Sequence, residues 1–249
     1  MTTVAPRFEC KYCVPASEAD GVLRVARAFL DIDRAAWPDA VDGGPLPVQR
    51  ITSLYLDSPA RTFLGWHLAR RSRRFKLRLR RYSVGHGGLA WAEVKHKVDG
   101  RVLKTRSPLP LAGVPSIESG RPSRETGLAG VHPALDDFLS RQRAFDACPQ
   151  VLLQCDRRGL RGTGGDRAVG VTVDTDLCYQ RGPTPSLLAA PAGDWLSLAV
   201  PGEGLEPVAI VELKHGGRPP VWMRRLMTRL EPRRCSYSKY VAAMQEGGR

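Results

Sequence analysis

No run of 18 apolar residues occurs anywhere in the chain, so the sequence predicts no helical membrane span. The N-terminal Met-Thr-Thr-Val-Ala-Pro-Arg lacks the apolar stretch of a secretory signal, which argues against export by that route. The six cysteines, at positions 10, 13, 148, 155, 178 and 235, show no disulfide-framework spacing, so a reducing, cytoplasmic setting is the expectation. Cys10-x-x-Cys13 has a zinc-like spacing without a second pair near it, and in a strand its two thiols point to opposite faces. The five histidines are scattered, with no His-Glu-x-x-His helix. The chain also has no Gly-x-x-x-x-Gly-Lys-Ser/Thr loop, no Gly-x-Gly-x-x-Gly fingerprint and no Gly-x-Ser-x-Gly elbow. It therefore offers no compelling nucleophile–base pair.

Negative charge is also scarce. Against 38 Lys plus Arg stand only 25 Asp plus Glu, a formal net charge of +13. A surplus of that size calls for an anionic partner: nucleic acid, anionic lipid or a phosphate-rich small molecule. With 249 residues and 42% hydrophobic content there is material for a real core.

The positive charge follows a pattern. Arg74 to Arg80 reads Arg-Phe-Lys-Leu-Arg-Leu-Arg, which in an extended strand puts Arg74, Lys76, Arg78 and Arg80 on one face and Phe75, Leu77 and Leu79 on the other. Arg7-Phe8-Glu9-Cys10-Lys11, Glu93-Val94-Lys95-His96-Lys97, Val102-Leu103-Lys104-Thr105-Arg106 and Ile210-Val211-Glu212-Leu213-Lys214 repeat the spacing, several mixing Glu with Lys. Two arrangements satisfy this pattern: solvated sheet faces, or a sheet closed around a charged interior with helices over its apolar side. Arg70 to Arg81, eight basic residues in twelve, could also be a nucleic-acid patch. The strict alternation from Arg74 and the lack of interleaved exposed aromatics make that the lesser reading.

Along the chain, a strand is expected at 6–14. A helix follows from Ser17, opened by Ser-x-x-Asp to Asp20, with Ala19, Val22, Leu23, Ala26, Phe29 and Leu30 at helical spacing. Residues 38–48 read as a loop and Gln49 to Asp57 as a strand. Asp57-Ser58-Pro59 then reads as the start of a short helix carrying Phe63, Leu64 and Leu68. Strands are expected at 73–82, 89–97 and 101–109, the last two joined by a tight Val98-Asp99-Gly100 turn. The Gly/Pro/Ser-rich stretch 112–130 reads as a mobile loop and His132 to Phe145 as a helix with Leu135, Phe138 and Leu139 inward. Strands at 149–161 and 167–178, joined by Gly162-Thr163-Gly164-Gly165, precede an irregular insert at 182–206. A strand at 207–214, a helix at 219–230 and a last element opened by Ser238-Lys239-Tyr240 complete one α+β domain over 1–249, dominated by antiparallel strands.

If the charged faces do enclose an interior, the chemistry is constrained. Buried cations cost several kcal/mol each unless paired, so such a site needs an anion. Phosphate satisfies Arg by bidentate hydrogen bonds and Lys by point charge, and a Glu beside it suits a divalent cation. Phosphoryl transfer asks mainly for alignment and charge neutralisation, which fits a chain without a protein nucleophile.

At this point the ordered motifs resemble a known family. Phe8-Glu9-Cys10-Lys11-Tyr12, Ser53-Leu54-Tyr55-Leu56-Asp57, Phe75 to Tyr82, Glu93-Val94-Lys95, Lys104-Thr105-Arg106, Asp156-Arg157-Arg158, Val171-Thr172-Val173-Asp174, Val211-Glu212-Leu213-Lys214 and Ser238-Lys239-Tyr240 are similar to the VTC domain. This is the catalytic domain of the vacuolar transporter chaperone, a branch of the triphosphate tunnel metalloenzymes. The resemblance runs from about residue 7 to 243. It implies an eight-stranded antiparallel β-barrel tunnel flanked by helices. It also implies polyphosphate polymerase activity, with the terminal phosphoryl of ATP passing to a polyphosphate chain in the presence of Mn²⁺ or Mg²⁺. By position, Lys11, Arg78, Arg80, Lys95, Lys104, Arg157 and Lys239 would cradle phosphates and Glu212 would be the principal metal ligand. Strand parity adds Lys76, Arg106 and Lys214 to the phosphate face, and Glu9 and Glu93 to the metal set.

Three departures stand out. Hydrolytic relatives typically begin Glu-x-Glu-x-Lys, whereas this chain reads Arg7-Phe8-Glu9-Cys10-Lys11, which favours the polymerase over a tunnel triphosphatase. Gly170 stands where the family often carries Arg, and Ser236 stands near a position that can be Lys. Lost cations could leave a non-catalytic module that binds polyphosphate or nucleic acid.

Overall fold

A computed structural model describes residues 4–32, 37, 40, 44–84, 88–121, 132–182, 185–188, 194–200 and 207–246. Eight strands dominate it: β1 (Val4–Pro15), β3 (Gln49–Asp57), β4 (Arg73–Tyr82), β5 (Ala90–Val98), β6 (Arg101–Leu109), β7 (Cys148–Arg161), β8 (Gly170–Gln180) and β10 (Val208–His215). Hydrogen-bonded neighbours run β7-β3-β4-β5-β6-β1-β10-β8, and β8 pairs back onto β7. The sheet therefore closes on itself as a ring of antiparallel pairs, which bears out the expected number and direction of strands. Three two-residue strands decorate the ring: β2 (Asp31–Ile32) on β7, β9 (Leu196–Ser197) on β8 and β11 (Arg234–Cys235) on β1.

Strand alternation decides what lies inside. The apolar faces turn outward against helices, where each fully buried large aliphatic or aromatic side chain contributes roughly 1.5–3 kcal/mol. Leu54, Leu56, Phe75, Leu77 and Leu79 pack with residues of α2 (Thr62–Leu68), α3 (Val114–Glu118) and α4 (Pro133–Ala144). Tyr12, Val14, Val171, Val173, Val211 and Leu213 pack beneath α1 (Ala16–Arg27) and α5 (Val221–Leu230). The opposite faces look into the ring.

Helix α6 (Lys239–Gln245) is the exception among the helices, because it packs on inward-facing side chains. Its Tyr240, Val241, Ala243 and Met244 cluster with Ile51, Tyr55, Val151, Leu153, Cys155, Tyr179 and Ile210. Those strand residues share the parity of the charged side chains, since Ser53 pairs with Arg80 and Leu153, and Ile210 lies two residues before Glu212. An apolar plug thus fills one end of the ring.

Several local expectations need correction. Helix α1 starts at Ala16 behind Pro15 with no side-chain cap, so the Ser17 pattern is not its opening, and it ends before Phe29 and Leu30. Helix α2 starts at Thr62, three residues beyond Pro59. Asp57 still caps it at a distance, its carboxylate accepting the amides of Phe63 and Leu64 at 2.9 Å each. The start of the supposed loop 112–130 is a 3-10 turn and then α3, with Val114 and Ile117 fully buried. Local polarity hid two apolar residues at helical spacing there. The insert 182–206 contributes β9 and the buried Leu187 and Leu198. Mobility expected at 122–130, 183–184, 189–193 and 201–206 lies outside the described residues. The Asp99-Gly100 turn is as expected, with φ of 47° and 83°.

Candidate functional site

The inward faces of the ring carry the charges singled out in the sequence. Arg78 sits opposite both Tyr55 and Glu93, and Lys76 opposite Lys95, which in turn faces Lys104. Across the ring, Lys11 pairs with Glu212 and Glu9 with Lys214 on the β1–β10 ladder. These side chains come from six different strands, brought together by ring closure and pleat parity alone.

Three carboxylate-centred groups organise the cations. Glu93 is fully buried, with Arg78 Nε 2.6 Å and Arg80 Nε 4.0 Å from Oε2 and Lys104 on Oε1. Burial pushes its pKa up, and Arg78, Lys104 and Arg80 more than reverse that, holding it well below the usual carboxylate range. Asp174 takes both arms of Arg157, at 2.5 and 2.7 Å, together with the ammonium of Lys239. Against the cost of burial, those cations hold it low as well. Glu212 lies 3.0 Å from Lys214 and 3.8 Å from Lys11. Burial raises its pKa, but Lys214, Lys11, Lys95 and Arg157 bring it well below normal.

Glu9 is the second carboxylate near Glu212, and their like charges raise its pKa after burial does. Lys95 and Lys214 reverse this and leave it lowered. Its oxygens are divided between Arg7, at 3.2 Å, and Lys95, at 2.6 Å. Arg7 and Lys95 therefore share the charge of Glu9.

Lys76, Lys104 and Lys214 show the cost of enclosure. Burial first, then Lys11, Lys95, Arg74 and Arg78, push the Lys76 ammonium well below its normal pKa. Burial likewise depresses Lys104 against the pull of Glu93, and takes Lys214 to about 8 against Glu212. The interior is under-supplied with negative charge, so an incoming polyanion would relieve it.

All thirteen sequence-predicted residues lie on or at this interior: Glu9, Lys11, Lys76, Arg78, Arg80, Glu93, Lys95, Lys104, Arg106, Arg157, Glu212, Lys214 and Lys239. They are not equivalent. Arg106, the cross-strand partner of Glu93, stacks its guanidinium 4.4 Å above the Trp91 ring. Glu93 is enclosed by its three cations, whereas Glu9 and Glu212 are neighbours. Among the described residues no group of three His, Cys, Asp or Glu side chains converges as a ready metal cage. Gly170 is paired with Lys214, whose ammonium instead reaches the Thr172 hydroxyl at 3.1 Å.

Sequence reading gave no role to Asp174, although its parity with Thr172 and its place beside Arg157 were available. It also gave none to Ser53, Tyr55 or Tyr240. Ser53 accepts from Arg80 at 3.0 Å, and Tyr55 accepts from Arg78 at 3.0 Å and stacks on Tyr240. Tyr240 donates to Asp57 at 2.5 Å.

A closed antiparallel ring whose enclosed face gathers Arg and Lys from many strands defines a class of proteins with an internal anion site. The chain belongs to the VTC domain family, whose model matches residues 6–246. Among solved structures, it is similar to a candidate adenylate cyclase from Bacillus halodurans at 12% identity and TM-score 0.53, covering 96% of each chain. It is also similar to a candidate adenylyl cyclase from Hippeastrum with a dominant triphosphatase activity. That match has 12% identity and TM-score 0.47, covering 97% of this chain and 96% of the other. No functionally curated protein matches the sequence. Among the described residues no helix is long and apolar enough to cross a membrane.

Proposed function

We propose that the chain is a phosphotransferase of the polyphosphate polymerase type, taking the terminal phosphoryl of ATP onto a polyphosphate chain inside the ring. The observation that carries this reading is the surplus of enclosed cations over Glu9, Glu93, Asp174 and Glu212, which leaves buried lysines depressed in pKa until an anion arrives. Arg78, Arg80 and Lys104 on one side and Arg157 and Lys239 on the other are pre-oriented by Glu93 and Asp174. Held in this way, they grip phosphate oxygens with little reorganisation and offset charge developing on the transferred group. Lys11, Lys76, Lys95 and Lys214 extend the cradle. The acceptor's terminal phosphate oxygen is the nucleophile, so no protein nucleophile is required.

The donor set fits a divalent cation shared with the substrate. Glu212 and Glu9 are ionised neighbours, and two carboxylates plus phosphate oxygens and water suit Mg²⁺ or Mn²⁺ better than an all-protein cage. Bound there, the ion would supply further charge neutralisation on the phosphates. Glu93, saturated by three cations, serves as their counter-charge on this reading, and not as a metal ligand.

The second reading, hydrolysis of inorganic triphosphate or a nucleotide, is favoured by α6. With one end filled by Tyr240, Val241, Ala243 and Met244, a long polymer has no second exit, whereas a short substrate needs none. Arg7 weighs for the polymerase. Incubation with ATP and Mn²⁺, and separately with tripolyphosphate, distinguishes them. Acid-labile polymer with ADP is the expected result. Orthophosphate alone supports the second reading, and no product of either kind overturns both.

A further inference from the structure

Two of the cysteines that the site does not use lie together at the plugged end. Cys13 is on the inward face of β1, directly opposite Ile210, and Cys235 is in β11. They are 222 residues apart in sequence, yet Cys13 Sγ lies 2.8 Å from Cys235 Sγ, and both are free thiols. The ladder places them on one face, because Cys235 pairs with Lys11 and Cys13 is two residues further along the same strand.

The segment that Cys235 begins is poorly anchored by backbone and heavily committed by side chains. Strand β11 is only two residues long and is held to β1 by Lys11↔Cys235 and Tyr12↔Arg234. From there the chain enters the site. The Tyr237 carbonyl accepts from Lys11 at 3.0 Å, Ser238 accepts from Lys76 at 2.5 Å, and Lys239 reaches Asp174. Helix α6 then plugs the ring. The two-residue ladder beside the thiol pair thus joins β1 to the segment that carries both the plug and Lys239.

We propose that Cys13 and Cys235 form a redox-operated latch, a reversible disulfide that ties the C-terminal segment to β1 and so fixes the plug and Lys239 in the ring. The inference does not depend on which phosphate chemistry the interior performs. The two thiols are unequal in the way such a pair requires. The hydrogen bond from Cys13, with the Tyr237 amide and Lys11, brings Cys235 to about 6, while the same contact and burial push Cys13 up. Cys13 is buried at 8% exposure and Cys235 only partly so, which leaves Cys235 as the sulfur that meets oxidant.

With hydrogen peroxide as oxidant, the Cys235 thiolate attacks one peroxide oxygen. The O–O bond breaks, and hydroxide leaves and is protonated to water. Cys13 sulfur then displaces water from the sulfenic acid, and the thiol proton ends on that second water. Two thiols are oxidised and one peroxide is reduced to two waters. A dithiol reductant reverses the bond by exchange.

Full-length protein treated with stoichiometric peroxide, alkylated and mapped by mass spectrometry tests the latch. The expected product is a Cys13–Cys235 linked peptide reversed by dithiothreitol, with amide exchange across 239–245 slowed about tenfold or more relative to reduced protein. C235S and C13S should each lose both effects. Free, alkylatable Cys13 and Cys235 after oxidation would overturn the proposal. So would linkage to Cys155 or Cys178 instead, or a linked pair with exchange unchanged.

Discussion

Arg78 Nε reaches Glu93 Oε2 at 2.6 Å across a directly paired position of β4 and β5, and this contact shows what kind of interior the ring holds. Glu93 has no exposure to solvent and also receives Lys104, so three cations depend on one carboxylate. Replacing it with glutamine leaves those cations uncompensated. E93Q is expected to lower stability by about 3 kcal/mol in anion-free buffer. Tripolyphosphate should raise its melting temperature more than it raises that of the wild type. Equal stability of the two proteins without anion would contradict the counter-charge role.

Glu212 has a different part. On the proposed reading, in which Glu212 holds a cation shared with phosphate, E212Q is expected to reduce turnover at least about 100-fold while keeping a cooperative unfolding transition. Activity and circular dichroism melting of the same preparation check this. Undiminished turnover would remove Glu212 from the proposed metal set.

Restoring a carboxylate at position 7 should alter metal binding. Arg7 now pairs with Glu9 at 3.2 Å. R7E would release Glu9 and set a third carboxylate beside it, so Mn²⁺ affinity should rise about tenfold or more. Calorimetric titration of metal into apo-protein gives the readout, and unchanged affinity would mean that this position does not face the metal.

Polyanion binding should take up protons. In the free protein burial holds Lys214 near 8 and Lys76 and Lys104 well below their normal range. A bound phosphate chain favours their charged forms and raises these values, so near pH 8 protons move from buffer to protein as ligand binds. Tripolyphosphate titrations near pH 8 in buffers of different ionisation enthalpy should show net proton uptake. Proton release would show that the lysines are not the groups that meet the anion.

Asp57 couples helix α2 to the plug. One carboxylate accepts from Ser58, Phe63 and Leu64 amides at 2.7–2.9 Å and from Tyr240 at 2.5 Å, with no solvent exposure. D57A should cost about 3 kcal/mol in urea denaturation, since it strips a helix cap and orphans buried donors. Amide exchange in 239–245 should also accelerate. A loss of stability with no change in that segment would confine Asp57 to capping α2.

Much of the site was legible in the chain because pleating has a period of two. Once Arg74 to Arg80 is a strand, Lys76, Arg78 and Arg80 must share a face, and the same holds for Glu93 with Lys95 and Glu212 with Lys214. The parity said nothing about which face was inside. That depended on helices α1 to α5 covering the apolar side, and on β8 returning to β7 to close the ring. Local signals misled where tertiary burial won. Pro59 looked like a helix start and proved to precede one, and the polar stretch after Leu109 concealed the buried Val114 and Ile117.

By itself the sequence determined the charge surplus, the alternation and the strand set, because these follow from residue identity and backbone geometry over a few positions. Only the tertiary structure decided that Glu93 serves Arg78, Arg80 and Lys104, that Asp174 joins Arg157 to Lys239, and that Cys13 meets Cys235 under a plugging helix. Those pairings join residues as many as 222 positions apart, and their partners are chosen by ring closure and strand register, which no local pattern encodes.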